Sequence, residues 1–248
     1  MPDRLSDEAL RVASEIVGDI APRDPQSSGF LLTRTELDSI IESLPVPGIV
    51  EIFGDASIGK TELGLRMIAG AQQQDVMPTL LDSEGDYDPA RAAGLGVDLS
   101  NLIIGKTSCV EEILETIYEV VEDSRLVVVD SITAVPPLAA IESSLLDHNP
   151  GLFDRLMAHG LRKIRFRLNK YGATVVLINQ IRHRTSSQIE DKTPYGNVIS
   201  ESADLRIELS NVGTTREGSF RTGRKVRARV TKSLATPPGR EVFLKIGS

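Results

Sequence analysis

Two rhythms of apolar residues alternate along this chain, and the change from one to the other is sharpest across residues 49–67, I-V-E-I-F-G-D-A-S-I-G-K-T-E-L-G-L-R-M. Ile49, Val50, Ile52 and Phe53 form a short β-branched and aromatic run, the make-up of a buried strand. Beyond it Leu63, Met67, Ile68 and Ala71 recur at three- and four-residue spacing, which is one face of a helix. Further short strands are predicted at 79–82, 102–104, 125–130 and 173–179. Between them fall a helix carrying Val110, Ile113, Leu114, Ile117, Tyr118 and Val121 as one stripe, and a long helix over 152–170 with Leu156, Leu161, Ile164 and Leu168 inward. Ser108 and Glu111 have capping-box spacing, and Asp88-Pro89 suits the start of another short helix. Pro45 and Pro47 end a predicted helix at 33–44. Residues 203–209, 225–231 and 241–246 read as antiparallel strands, the first two joined by a Gly/Thr-rich loop at 213–223. The class expected is therefore α/β, with a mainly parallel sheet extended by antiparallel strands at the C-terminal end.

Three stretches stand outside this alternation. Residues 6–21 have Leu10, Ala13, Ile16, Val17 and Ile20 near one helical face, followed by a Pro/Ser/Gly linker. The expected division is thus 1–29 for helix and linker and 30–248 for the core, with the helix docked either on its own core or on a neighbouring subunit. Residues 141–151 read as a polar loop, and 180–197 is long and irregular enough to be functional or mobile.

Composition narrows the setting. A chain of 248 residues that is 40% hydrophobic and 25% charged suits one globular α/β domain. No apolar run spans a bilayer and no signal-peptide pattern opens the chain, so no membrane partner is expected. Cys109 is the only cysteine, which rules out an internal disulfide and fits a reducing, cytoplasmic setting. A net charge of −7 and 4% aromatics speak against a chain coated in nucleic acid or built on base stacking.

Chemistry enters at Gly54, Asp55, Ala56, Ser57, Ile58, Gly59, Lys60 and Thr61, which match G-x-x-x-x-G-K-[ST] between a strand and a helix. Such a loop curls its N–H groups around a phosphate, and glycine at 59 permits close backbone approach. Lys60 supplies a charge for the outer phosphates, Thr61 a hydroxyl for Mg²⁺, and the helix opening near Lys60, with Glu62 among its cofactor-binding residues, turns its positive end to the same anion. In a parallel sheet, sites gather at the carboxyl ends of strands, which is where Gly54, Glu84, Asp130 and Gln180 fall. Asp130 is either the second metal-side carboxylate or a cap for the next turn. Glu84 is a candidate general base for the attacking water, or a solvated acid. Gln180 either senses the terminal phosphate or is an ordinary loop amide. Arg155, Arg162, Lys163, Arg165, Arg167 and Lys170 crowd the long helix, and Arg182, His183 and Arg184 follow in the next loop. They can track a nucleic-acid backbone or form a solvated face. The three histidines lack metal-ligand spacing.

Taken in order, E-I-F-G-D-A-S-I-G-K-T, L-L-D-S-E-G-D-Y-D-P-A, G-V-D-L-S-N-L, L-V-V-V-D-S-I-T-A-V, G-L-F-D-R-L-M-A-H-G-L-R-K-I and L-I-N-Q-I-R resemble the RecA-type homologous-recombination ATPases. The resemblance runs over about 32–246. It implies a RecA-like P-loop NTPase core that uses ATP and Mg²⁺, forms a helical homo-oligomeric filament on single-stranded DNA and pairs it with double-stranded DNA for strand exchange. An alternative within the same likeness is an accessory relative that binds DNA or a recombinase without exchanging strands. The resemblance makes Glu84 the catalytic carboxylate, Gln180 the phosphate sensor, and 141–151 and 181–197 the two DNA loops. It places Arg155, Arg162, Arg182, Gly196 and Asn197 near DNA, Asp88 near the adenine, Lys232 on ATP across a subunit boundary, and the N-terminal helix on a neighbouring subunit. Departures are Arg91 where relatives often stack a tyrosine on the base, Leu234 where a second lysine reaches ATP, and Glu201 where bacterial members carry an aromatic. The ending implies a compact member lacking the bacterial C-terminal domain.

Overall fold

A computed structural model describes residues 31–143, 151–181, 196–217 and 220–247. The strand predicted at 49–53 forms β1 (Gly48–Gly54), buried throughout, and runs through the phosphate loop into α2 (Lys60–Gln72), after the short α1 (Asp38–Ile41). There follow β2 (Pro78–Asp82), α3 (Pro89–Gly94), β3 (Ile103–Lys106), α4 (Val110–Val120), β4 (Leu126–Asp130), α5 (Leu138–Glu142), α6 (Leu152–Tyr171), β5 (Thr174–Gln180) and α7 (Gly196–Ser202). The last strands are β6 (Leu205–Glu217), β7 (Phe220–Ser233) and β8 (Glu241–Ile246).

One eight-stranded sheet results, in the order β3-β2-β4-β5-β1-β6-β7-β8. From β3 to β6 the neighbours are parallel, and β7 and β8 extend the sheet antiparallel, as the alternation predicts. The sheet divides two apolar cores. Val50 and Ile52 point to one, with Leu63, Met67 and Ile68 of α2; Ile49 points to the other, with Ile113 and Ile117 of α4 and Met157, Leu161, Ile164 and Leu168 of α6. Removing side chains of this size from water contributes roughly 1.5–3 kcal/mol each, so a double-sided β1 is held from both faces.

Several boundaries differ from the sequence reading, each for a local reason. The helix expected at 33–44 shrinks to α1, because the Asp38 carboxylate accepts from Thr33 N (2.8 Å) and Arg34 N (2.8 Å) and turns the chain first. The Ser108/Glu111 capping box is not made: Glu112 reaches back to Ser108 N (2.7 Å), while Glu111 takes Leu138 N (2.9 Å). Tyr118, placed in the buried stripe of α4, is 41% exposed. The expected loop at 213–223 is strand on both sides, since β6 and β7 stay paired out to Glu217 and Phe220. Part of the loop at 141–151 belongs to α5, and 144–150 lie outside the described residues. Gly196 and Asn197 open α7 rather than ending a loop. The N-terminal helix and linker lie outside the described residues, as do Arg182, His183 and Arg184. Among the described residues no helix is long and apolar enough to cross a membrane.

Candidate active site

The phosphate loop is fixed by what surrounds it. Gly59 adopts φ 105°, and a Cβ there would lie 2.3 Å from Ile246 Cγ2 of β8, so both conformation and space demand glycine. Within the loop the Lys60 ammonium donates to the carbonyls of Gly54 (3.1 Å) and Asp55 (2.6 Å). Burial holds Lys60 below its ordinary pKa, against the opposing pull of Asp130, Glu84 and Asp55.

The acids come from the neighbouring strand ends. β2 and β4 pair Asp82 with Asp130. Asp82 is buried, and its carboxylate accepts from Gly85 N (2.8 Å) and Tyr87 N (3.2 Å), wrapping the following turn around itself. That turn delivers Glu84 to the Ser131 hydroxyl, which donates to its carboxylate at 2.5 Å, while Ser83 Oγ donates to Ser131 O (2.6 Å). The Thr61 hydroxyl lies beside Asp130. The Asp130 pKa is raised to about 6, chiefly by burial and with help from Glu84 and Asp82, against the lowering pull of Thr61 and Lys60. Lys60, Thr61, Glu84, Asp130 and Gln180 all line one cleft of about 650 Å³.

Gln180 is set there by a buried chain of polar groups that spacing in the sequence does not announce. The Asn179 carbonyl oxygen accepts from Gln180 N (2.9 Å) and from the Thr133 hydroxyl (2.8 Å). The Asn179 amide donates to Glu51 Oε1 (2.9 Å), and Arg206 Nε donates to Glu51 Oε2 (2.5 Å). The Glu51 side chain is wholly buried within β1, and Arg206 stacks over Phe53. The only trace of this in the sequence is an acid inside an apolar strand run.

Not every predicted contact is free for a ligand. Glu62 is buried, and its carboxylate is taken by Arg66 (2.7 Å), Gly247 N (2.9 Å) and Arg91 (3.5 Å). Asp88 caps α3 through Ala90 N (2.8 Å) and borders a small pocket with Leu65, Tyr87 and Arg91. Lys232 does not line the cleft; its ammonium donates to the carbonyls of Ser200 (2.8 Å) and Glu201 (2.9 Å) at the end of α7. For a metal, no group of three or more His, Cys, Asp and Glu side chains is gathered among the described residues. A magnesium ion needs only one or two protein oxygens beside its waters and substrate phosphates, and the Thr61–Asp130 pair beside Glu84 fits that donor set.

The basic helix sorts into two kinds of cation. Arg165 is bonded to Asp204 and to the Ser202 carbonyl, and Arg167 to Tyr118 O (3.0 Å) and Glu122 (3.5 Å), so both are structural and not part of an open basic face. Arg155, Arg162 and Lys163 are exposed. A second group, missed in the sequence, lies on β7: Val226, Ala228 and Val230 are buried on one face, while Lys225, Arg227 and Arg229 face the other, toward the side of α6 and α7. Period-2 spacing in R-K-V-R-A-R-V is the signal that would have found them.

A glycine-rich loop after β1 and an acid ending β4, with β5 between them carrying Gln180, define a P-loop NTPase core. The chain matches the RecA N-terminal domain over residues 24–247. It is 36% identical over 210 residues to protein RecA of Fusobacterium nucleatum, covering 83% of this chain and 56% of that protein. To protein RecA of Rubrobacter xylanophilus it is 35% identical over 210 residues (83% and 61%), and to that of Nitratiruptor sp. 34% over 232 residues (92% and 67%). The chain belongs to the RecA family. It spans between 56% and 67% of the length of these three relatives.

Proposed function

We propose that this chain is an ATP-dependent DNA recombinase: a DNA-stimulated ATPase that assembles as a filament on single-stranded DNA and pairs it with duplex. The observation that carries this reading is the convergence of Lys60, Thr61, Glu84, Asp130 and Gln180 on one cleft in a member of the RecA family. In this reading the loop N–H groups and Lys60 bind the phosphates of ATP. Glu84, oriented by Ser131, takes the proton of the attacking water. Magnesium held by Thr61 and Asp130 would supply charge neutralisation for the phosphate oxygens. Gln180, fixed at its backbone by Asn179, reports the terminal phosphate to the chain that follows β5. Arg155, Arg162 and Lys163 of α6 and Lys225, Arg227 and Arg229 of β7 supply phosphate-backbone contacts on one side of the sheet.

The test is hydrolysis with and without single-stranded DNA, together with electron microscopy of the chain with DNA and a non-hydrolysable ATP analogue. DNA-stimulated turnover and helical filaments are expected. Equal turnover with and without DNA, or rings and monomers on the grid, would overturn the reading. One feature favours a second reading, an accessory relative that does not exchange strands: Lys232 is engaged by its own α7, and Leu234, two residues on, is 82% exposed. DNA binding without duplex pairing in a strand-exchange assay would select it.

A further inference from the structure

Arg224 lies in the middle of β7, where alternation decides which way each side chain points. Val226, Ala228 and Val230 face the core beneath α2, and Arg224 keeps the same parity, opposite in direction to Lys225, Arg227 and Arg229. It therefore points to the side of the phosphate loop. In register, Arg224 pairs with Ile246 of β8, and the Ile246 side chain is the one packed so closely on Gly59 that no Cβ fits there. The sheet thus carries Arg224 to the loop by backbone pairing, independently of its rotamer. The guanidinium donates to the Ser57 carbonyl, and the side chain lines the same cleft as Lys60, Glu84 and Gln180.

We propose that Arg224 is a second cationic ligand for the outer phosphates of the bound nucleotide, acting from β7 across the cleft from Lys60. The chemistry favours it. A neutral carbonyl is a weaker acceptor than a phosphate oxygen, and the planar fork of arginine matches two phosphate oxygens at once. Lys60 and Arg224 share one arrangement, each resting on loop carbonyls. The cleft also holds Glu84 and Asp130, whose negative charge opposes a polyphosphate and calls for more than one cation. Arg224 contributes charge that the G-x-x-x-x-G-K-T motif does not contain, from a strand more than 160 residues further along the chain.

This inference rests on the nucleotide reading above, and the experiment keeps the two apart. Affinity for fluorescent ADP and for a non-hydrolysable ATP analogue is measured at fixed salt for the wild type, Lys60→Ala, Arg224→Ala and Arg224→Lys, with urea unfolding of each. Arg224→Ala is expected to bind the ATP analogue roughly ten-fold or more weakly, the worth of one charge-assisted hydrogen bond. Arg224→Lys, which keeps the charge and loses the fork, is expected to recover part of that loss with an unfolding midpoint like the wild type. Wild-type affinity in both Arg224 variants, with affinity lost in Lys60→Ala, overturns the role of Arg224 alone. Wild-type affinity in Lys60→Ala overturns the nucleotide site itself.

Discussion

The carboxyl ends of β1, β2, β4 and β5 and the open face of β7 both concentrate charge, yet they use it in opposite ways. At the strand ends Lys60 and Asp82 are buried, Asp130 is half-buried, and these groups are already engaged: Asp82 with its own turn, the exposed Glu84 with Ser131, Asp130 beside Thr61, Lys60 with two carbonyls. On β7, Lys225 and Arg229 are exposed, Lys225 lying over the Phe243 ring, and Arg227 has a 3.2 Å bond to Ser210 and a 3.9 Å approach to Glu241. Buried charge is weakly screened and fixed in direction, so it acts on one atom of one ligand. Exposed charge is mobile and screened by salt, so it acts by number. The first arrangement suits chemistry on a single ligand, and the second suits holding a polyanion.

The sharpest way to break this contrast is at Lys60. Lys60→Ala is expected to lower DNA-stimulated ATP hydrolysis by about 100-fold or more, as loss of a preorganised donor does, with the circular-dichroism spectrum unchanged. Retained turnover would mean that the strand ends are not the chemical region. Next comes the buried support. Arg206→Leu leaves the Glu51 carboxylate in β1 with Asn179 as its remaining partner and is expected to cost about 3 kcal/mol in urea unfolding. Adding Glu51→Gln should recover part of this, and no recovery would refute the pairing. On β7 the expected effect is smaller and of another kind. Arg227→Ala with Arg229→Ala should weaken DNA binding and reduce the salt slope of log K by about 0.9 for each phosphate no longer neutralised. An unchanged slope removes β7 from the nucleic-acid surface. The least effect is expected from Asp88→Ala, which removes the cap of α3 for about 1 kcal/mol, a fall of roughly 2–4 °C in melting temperature.

What the sequence disclosed follows the same division. The loop, the strand ends and the mainly parallel sheet could be read because each rests on local spacing: a motif, an apolar run, an acid where a run stops. Glu51 and Arg206 could not, because their meaning depends on a partner 155 residues away, and no local pattern distinguishes a paired buried acid from a misplaced one. Arg165 and Arg167 looked like part of a basic stripe, since composition counts charges without their partners. Glycine and threonine suggest a longer β6–β7 loop than the structure has, because bulges at Asn211/Gly213 and Thr215/Arg216 absorb irregularity inside a continuing ladder. Arg224 was hidden for a third reason: its parity matters only once β7 is known to pass the loop.

The position of β1 also sets an order of assembly. It is an early strand of the chain, yet its sheet neighbours are β5 and β6, and Glu51 meets Asn179 128 residues later and Arg206 155 residues later. The β6–β7–β8 meander, by contrast, joins strands that follow one another directly. Closing a long chain segment loses entropy before its contacts compensate, so the meander is expected to form before β1 is seated. The pairing partner of β1 on one side begins only at Leu205, so amides of β1 should gain exchange protection after those of β7 in pulsed hydrogen exchange.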